Sequence, residues 1–168
     1  MHPPAERVPA APPFRPEVFF DGRTEGLGTL RVRAGGAEVV RVESVGAAQE
    51  DGAFRLDQIV TRGDGEPTTR TWLLRLTSPT TYTGTLTDAS GEVRAEVDGS
   101  VLRIRYPMGT ATTMRQTLYL QPGGDVALNL ATVSVLGVPV ARLEEQIRRV
   151  GPPRPATPSP GRGRGGAR

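Results

Sequence analysis

Cysteine and lysine are both missing from the 168 residues, and histidine occurs once, as His2. Zero Cys removes disulfide frameworks, thiolate zinc sites, iron–sulfur clusters, thiol nucleophiles and a lipid-modified Cys. A lone His in a Pro-rich leader argues against a His-ligated haem, a three-His zinc site and a Ser-His-Asp triad. No apolar run approaches the ~20 residues of a membrane-spanning helix. The opening Met1-His2-Pro3-Pro4-Ala5-Glu6 lacks the charged and apolar regions of a signal peptide. These absences point to a cytoplasmic chain without metal or cofactor, and they lean away from an enzyme.

What is present divides by segment. Six of the 16 Pro fall within residues 1–16 and five within 151–168. Proline removes a backbone donor and restricts its predecessor, so both ends are expected to be irregular. The formal charge of +3 is also a property of an end. Residues 151–168 carry Arg154, Arg162, Arg164 and Arg168 and no acid, which leaves 17 Arg against 18 acidic residues before them, a net of −1. Summed this way, the folded part makes no electrostatic case for nucleic acid. The expected organisation is a disordered leader over 1–16, one domain over 17–150 and a disordered tail over 151–168. The tail's Gly161-Arg162-Gly163-Arg164-Gly165-Gly166 resembles an RNA-binding Arg-Gly segment, but its few Arg suit a solubilising tail better.

Within the domain, apolar and polar residues alternate. Leu30 and Val32 alternate with Arg31 and Arg33, and Gly35-Gly36 turns the chain. Phe54, Leu56 and Gln58 alternate with Arg55 and Asp57 before Gly63-Asp64-Gly65. The same period of two recurs around Trp72, Tyr82, Val93, Leu102 and Leu118, with turns at Asp98-Gly99 and Pro122-Gly123-Gly124. Each segment reads as a strand with one apolar face, and Thr and Val favour that reading. Consecutive short strands joined by tight turns make an all-β meander. Closure hides the apolar faces and removes both open edges, so an antiparallel up-and-down barrel of about 8–10 strands is expected, with a two-sheet sandwich as the alternative. Leu143, Ile147 and Val150 stand at helical spacing, which favours a short, partly helical C-terminal end, with a final strand after Gly137-Val138-Pro139 as the alternative.

Several segments together resemble the DUF3833 family, a group of uncharacterised bacterial proteins that includes many lipoproteins. They are Phe19-Phe20-Asp21-Gly22-Arg23-Thr24-Glu25-Gly26-Leu27-Gly28, Gly63-Asp64-Gly65-Glu66, Arg70-Thr71-Trp72, Tyr82-Thr83-Gly84-Thr85, Asp88-Ala89-Ser90-Gly91-Glu92 and Leu128 through Gly137. The resemblance implies a lipocalin-like, calycin-type barrel and no known reaction. Leu27, Leu56-Asp57-Gln58-Ile59 and Arg115-Gln116-Thr117 depart from the family pattern, and no lipobox Cys is present to carry an anchor.

A barrel of this size is either filled by side chains or holds one small ligand. The expected ligand-facing residues are Trp72, Tyr82, Tyr106, Met114, Gln116 and Asn129, with Gln58, Leu118 and Leu120 beside them. A few polar groups in an apolar cup suit a fatty acid or an isoprenoid; packing as plain core is the competing reading. Asp21, Arg23 and Glu25 are candidates for a recognition rim, against a simple turn into the first strand. Asp57, Asp64, Glu66 and Asp88 match no metal loop and read as turn or surface carboxylates. Ligand binding without chemistry is therefore the leading expectation. A barrel that binds a partner protein comes second. A cofactor-free isomerase comes last, because Asp57 lies out of phase with the inward Phe54 and Leu56.

Overall fold

The computed structural model describes residues 10–151. A four-residue helix, α1 (Pro16–Phe19), precedes ten strands. These are β1 (Gly22–Val32), β2 (Ala37–Ala48), β3 (Phe54–Arg62), β4 (Thr68–Ser78) and β5 (Thr81–Leu86). They continue as β6 (Val93–Asp98), β7 (Val101–Pro107), β8 (Thr112–Leu120), β9 (Val126–Val135) and β10 (Val138–Arg149). Each strand pairs antiparallel with the next, and β1 pairs with β10, so the sheet is one closed barrel. The sandwich alternative is excluded by that last pairing.

The alternation written in the sequence is the alternation of burial. Along β3, Phe54, Leu56 and Gln58 are buried while Arg55, Asp57 and Ile59 are exposed. Along β7, Leu102, Ile104 and Tyr106 point inward and Arg103 and Arg105 outward. The turns between them fall at the Gly- and Asp-containing sites anticipated above.

The C-terminal helix is a correction. Residues 138–149 form a strand in which Leu143, Glu145 and Ile147 face inward and Arg142, Glu144, Gln146 and Arg148 outward. Local helix propensity favours a helix by only tenths of a kcal/mol per residue. Against it stands a nine-pair register from Thr24↔Arg149 to Val32↔Ala141, which satisfies the edge of β1. Closure wins.

The leader expected through residue 16 overlaps a second folded feature. Phe14 is fully buried, its N–H bonded to Gly99 O at 2.8 Å, and Pro16 and Phe19 are buried beside it. Phe14, Phe19 and Phe20 form an aromatic cluster with ring centroids 4.9–6.5 Å apart. This cluster stops the barrel end that carries the β2–β3, β4–β5, β6–β7 and β8–β9 turns. Gly46 makes the fit: a Cβ there would run into Phe20 O and the ring of Phe54. Residues 1–9, with His2, and the tail from 152 onward lie outside the described residues.

Truncating the plug should leave a cavity that the rigid barrel end cannot collapse into. Phe14→Ala is expected to lower unfolding free energy by about 3–5 kcal/mol. Urea denaturation followed by circular dichroism measures it, and a loss below about 1 kcal/mol would show that the plug is a loosely held tail.

Candidate functional site

Above the phenylalanine plug the barrel interior changes character. A cavity of ≈ 50 Å³ lies there, lined by apolar groups that include Phe54, Leu56, Leu102 and Leu118. Ser44, Gln58, Arg70, Gln116, Asn129 and Glu145, from strands on both sides of the barrel, line it as well. Polar groups so deep in a barrel are costly unless each finds a partner.

The polar groups form two networks. On β2, β3 and β4, the Gln58 carbonyl oxygen accepts from Arg70 Nε at 2.7 Å and from Trp72 Nε1 at 2.7 Å. The Gln58 amide donates in turn to Ser44 Oγ at 3.0 Å. Across the barrel, on β7 to β10, the Gln116 amide donates to the Tyr106 hydroxyl at 3.4 Å. Asn129 Nδ2 donates to Gln116 Oε1 at 3.1 Å and to Glu145 Oε1 at 2.9 Å. An edge-to-face contact between Trp72 and Tyr106, centroids 5.5 Å apart, joins the two halves.

One network holds a cation and the other an acid, and they do not meet. Arg70 lies over the Trp72 ring at 5.8 Å and reaches Asp88 at only 3.8 Å. It forms no ion pair with Glu145 among the described residues. Burial pushes the Glu145 carboxyl above the usual carboxylate range, against the Asn129 amide and the more distant Arg70, which pull it down. The Asn129 carbonyl oxygen is buried and has no partner among the described residues.

Glycine makes room for the acid. A Cβ on Gly26 would collide with Glu145 Oε2, and one on Gly28 would collide first with the backbone oxygen of Glu144 and stand 2.9 Å from Glu145 Cβ. The Gly26-Leu27-Gly28 spacing on β1 is thus a pair of notches facing β10, with Gly28 directly opposite Glu145.

The expected ligand-facing residues separate by depth. Trp72, Gln116 and Asn129 line the cavity together with Gln58 and Leu118. Tyr106, 1% exposed, touches it through Gln116, and burial raises its hydroxyl above the ordinary phenol value. Met114 packs against the core from the side of the β7–β8 turn, next to Met108. Tyr82 lies at the plugged end, where its hydroxyl donates to Glu17 at 2.7 Å; burial and that carboxylate push it up to about 12. Tyr82 therefore ties α1 to the barrel, and Leu120 is core.

Asp21, Arg23 and Glu25 do not converge on the cavity. Asp21 precedes β1, and Arg23 and Glu25 occupy its exposed face while Thr24 and Gly26 point inward. Asp57 is exposed and bonded to Arg55, whose guanidinium, with the Thr71 hydroxyl, holds its carboxyl below the usual range. The carboxylate considered for an isomerase thus faces water.

Two residues escaped the sequence reading. Glu145 was hidden by the helical interpretation of its segment; a period of two would have placed it between the inward Leu143 and Ile147. Arg70 stands two positions before Trp72, so the phase of β4 alone turns it inward.

A family model described as "Protein of unknown function (DUF3833)" matches residues 4–149. No curated protein matches the chain by sequence. Among solved structures, the barrel is similar to the S-type phycobiliprotein lyase CPES from Guillardia theta, with a TM-score of 0.62, 11% identity and coverage of 81% of this chain and 93% of that one. It is similar to a DUF3598-family protein of unknown function from Nostoc punctiforme, with a TM-score of 0.61, 13% identity and coverage of 83% and 50%. It is also similar to Rv2717c from M. tuberculosis, with a TM-score of 0.60, 18% identity and coverage of 77% and 92%. Identities this low speak for a shared lipocalin-like barrel and for nothing finer.

The raised Glu145 carboxyl has a consequence for stability. An acid whose folded value lies above its unfolded value contributes fully at pH below the unfolded value, near 4.5. That contribution is lost as pH rises through the folded value. Glu145→Gln keeps the acceptor for Asn129 and removes the titration. The variant is expected to match the parent at about pH 4 and to exceed it in melting temperature at about pH 8. An unchanged difference across that range would show that Glu145 is ionised and solvated.

Proposed function

The chain belongs to the DUF3833 family of proteins of unknown function, and from the geometry of the interior we propose that its barrel binds one small amphipathic molecule without chemistry. The observation that carries this reading is an unpaired one. Arg70 and Glu145 face the same cavity without touching, beside a buried Asn129 carbonyl oxygen that has no partner. A barrel stabilised by packing alone gains nothing from such groups, whereas a ligand head bearing an acceptor and a donor satisfies them.

Arg70 takes an anionic oxygen, and the Asn129 carbonyl oxygen takes a donor. The apolar body of the ligand lies against Phe54, Leu56, Leu102 and Leu118. The cation favours a carboxylate head, so a fatty acid ranks above a neutral isoprenoid. Space is the constraint. Cavities for drug-sized ligands run to about 300–1,000 Å³, and ≈ 50 Å³ is open here. The bound molecule must be slim, and the interior must widen to admit it.

Trp72 is the only tryptophan of the chain and forms part of the cavity wall, so its emission reports occupancy directly. Titration with lauric acid is expected to produce a saturable change, weaker with farnesol. Arg70→Gln should weaken lauric acid binding by about tenfold, the value of one charge-assisted hydrogen bond. Emission that responds to neither compound would count against the reading and leave the outer surface as the working part of the barrel.

A further inference from the structure

The near-neutral charge of the folded part conceals an arrangement that only the strand register reveals. Arg94 on β6 pairs with Arg105 on β7, and Arg105 with Arg115 on β8. Arg115 pairs with Thr132 on β9, Thr132 with Arg142 on β10, and Arg142 with Arg31 on β1. Five arginines thus stand in one cross-strand row over six adjacent strands, all on the outer, exposed face. At about 4.8 Å per strand the row runs roughly 24 Å along the curved surface, halfway round the ten-strand barrel, so only neighbouring members share one flank. Like charges directly opposite one another destabilise a sheet, so the row is a cost to the fold. Arg94 reaches Glu92 at 3.7 Å; Arg31, Arg105, Arg115 and Arg142 form no ion pair among the described residues. Of the acids beside the row, Glu96 and Glu144 sit two residues further toward the plugged end and Glu92 two residues toward the other end.

An apolar tip adjoins the row. The β9–β10 hairpin turns through Leu136 and Gly137, whose φ values are +50° and +77°. A two-residue turn with both φ positive suits Asn-Gly and is unfavourable for leucine. Leu136 is nevertheless there, 81% exposed, with Val135 and Val138 exposed on either side. Its N–H bonds to Ala111 O, and Ala111 is the other non-glycine residue with positive φ among the described residues. Down the flank of this hairpin, one surface groove gathers Arg31, Arg33 and Arg142 with Val32, Pro139 and Val140.

We propose that this flank docks on an anionic membrane surface, with Leu136 and its valine neighbours entering the interface and Arg31, Arg33 and Arg142, at the near end of the row, meeting lipid phosphates. An exposed apolar tip backed by cations is the chemistry of a bilayer interface, where apolar side chains insert and Arg reaches up to the headgroups. A nucleic-acid strand would use the same cations but has no use for the tip, and no aromatic ring stands in the row to stack a base.

The test uses the full chain and co-sedimentation with two kinds of vesicle, phosphatidylcholine alone and phosphatidylcholine mixed with phosphatidylglycerol. The parent is expected to sediment with the anionic vesicles, less so at high salt, and weakly with the neutral ones. Leu136→Asn removes the apolar tip while supplying a residue that tolerates positive φ. It should melt no lower than the parent yet bind about tenfold more weakly, the value of burying one leucine side chain. The double variant R31Q/R142Q should lose at least about tenfold, at roughly 1 kcal/mol for each cation. The C-terminal arginines are common to all three proteins, so equal binding by all three would assign attachment to the tail and overturn the proposal. Failure of the parent to bind anionic vesicles would overturn it too. Tighter binding of a labelled single-stranded oligonucleotide, lost in R31Q/R142Q, would make the face a nucleic-acid site instead.

Discussion

The pairing of β1 with β10 is the constraint on which the rest depends. Nine residue pairs join the first strand to the last, across more than a hundred residues of intervening chain. Without them the sheet has two open edges and an apolar face exposed to water. With them, the inner face becomes a closed interior whose contents are decided by strand phase. The same pairing sets Glu145 opposite Gly28, inside a notch that any side chain on Gly26 would fill. It also sets Arg31 opposite Arg142 on the outside. One register therefore builds both part of the polar lining of the cavity and the end of the arginine row.

The interior divides into two layers of different chemistry. Three phenylalanines and their neighbours fill one end, and Tyr82 bonded to Glu17 holds α1 over it. Above lies a belt of amides, with one guanidinium and one carboxyl, in which each hydrogen bond leads to the next strand. Gln58 bridges β2, β3 and β4; Asn129 bridges β8, β9 and β10. Such networks give a barrel a unique interior when every member is satisfied. Here one acceptor of the network, the Asn129 carbonyl oxygen, is left over among the described residues, beside a carboxyl whose neutral form burial favours.

Much of this was legible from residue order. Period-two alternation around Phe54, Leu102 and Leu118 gave strand, phase and closure, and the turn residues gave the connections. Trp72, Gln116 and Asn129 were placed on the inner face by phase alone, and the structure brings them to one cavity. Tyr82 shares that phase but sits at the plugged end, because depth along a barrel depends on stagger between strands, which alternation does not encode. The last strand is ambiguous in the sequence for a related reason. Leu143, Ile147 and Val150 fit a helix locally, and only the unsatisfied edge of β1, distant in sequence, decides against it. The arginine row was invisible to a sum of charges, since residues 31, 94, 105, 115 and 142 become neighbours only through register.

The central claim is that the polar layer exists to hold a small molecule. Native mass spectrometry of the protein purified from its own host tests this most directly. The account predicts a retained species heavier than the polypeptide by a small amphipathic compound, less abundant in Arg70→Gln. Recovery of the bare polypeptide mass alone, from parent and variant alike, would contradict it.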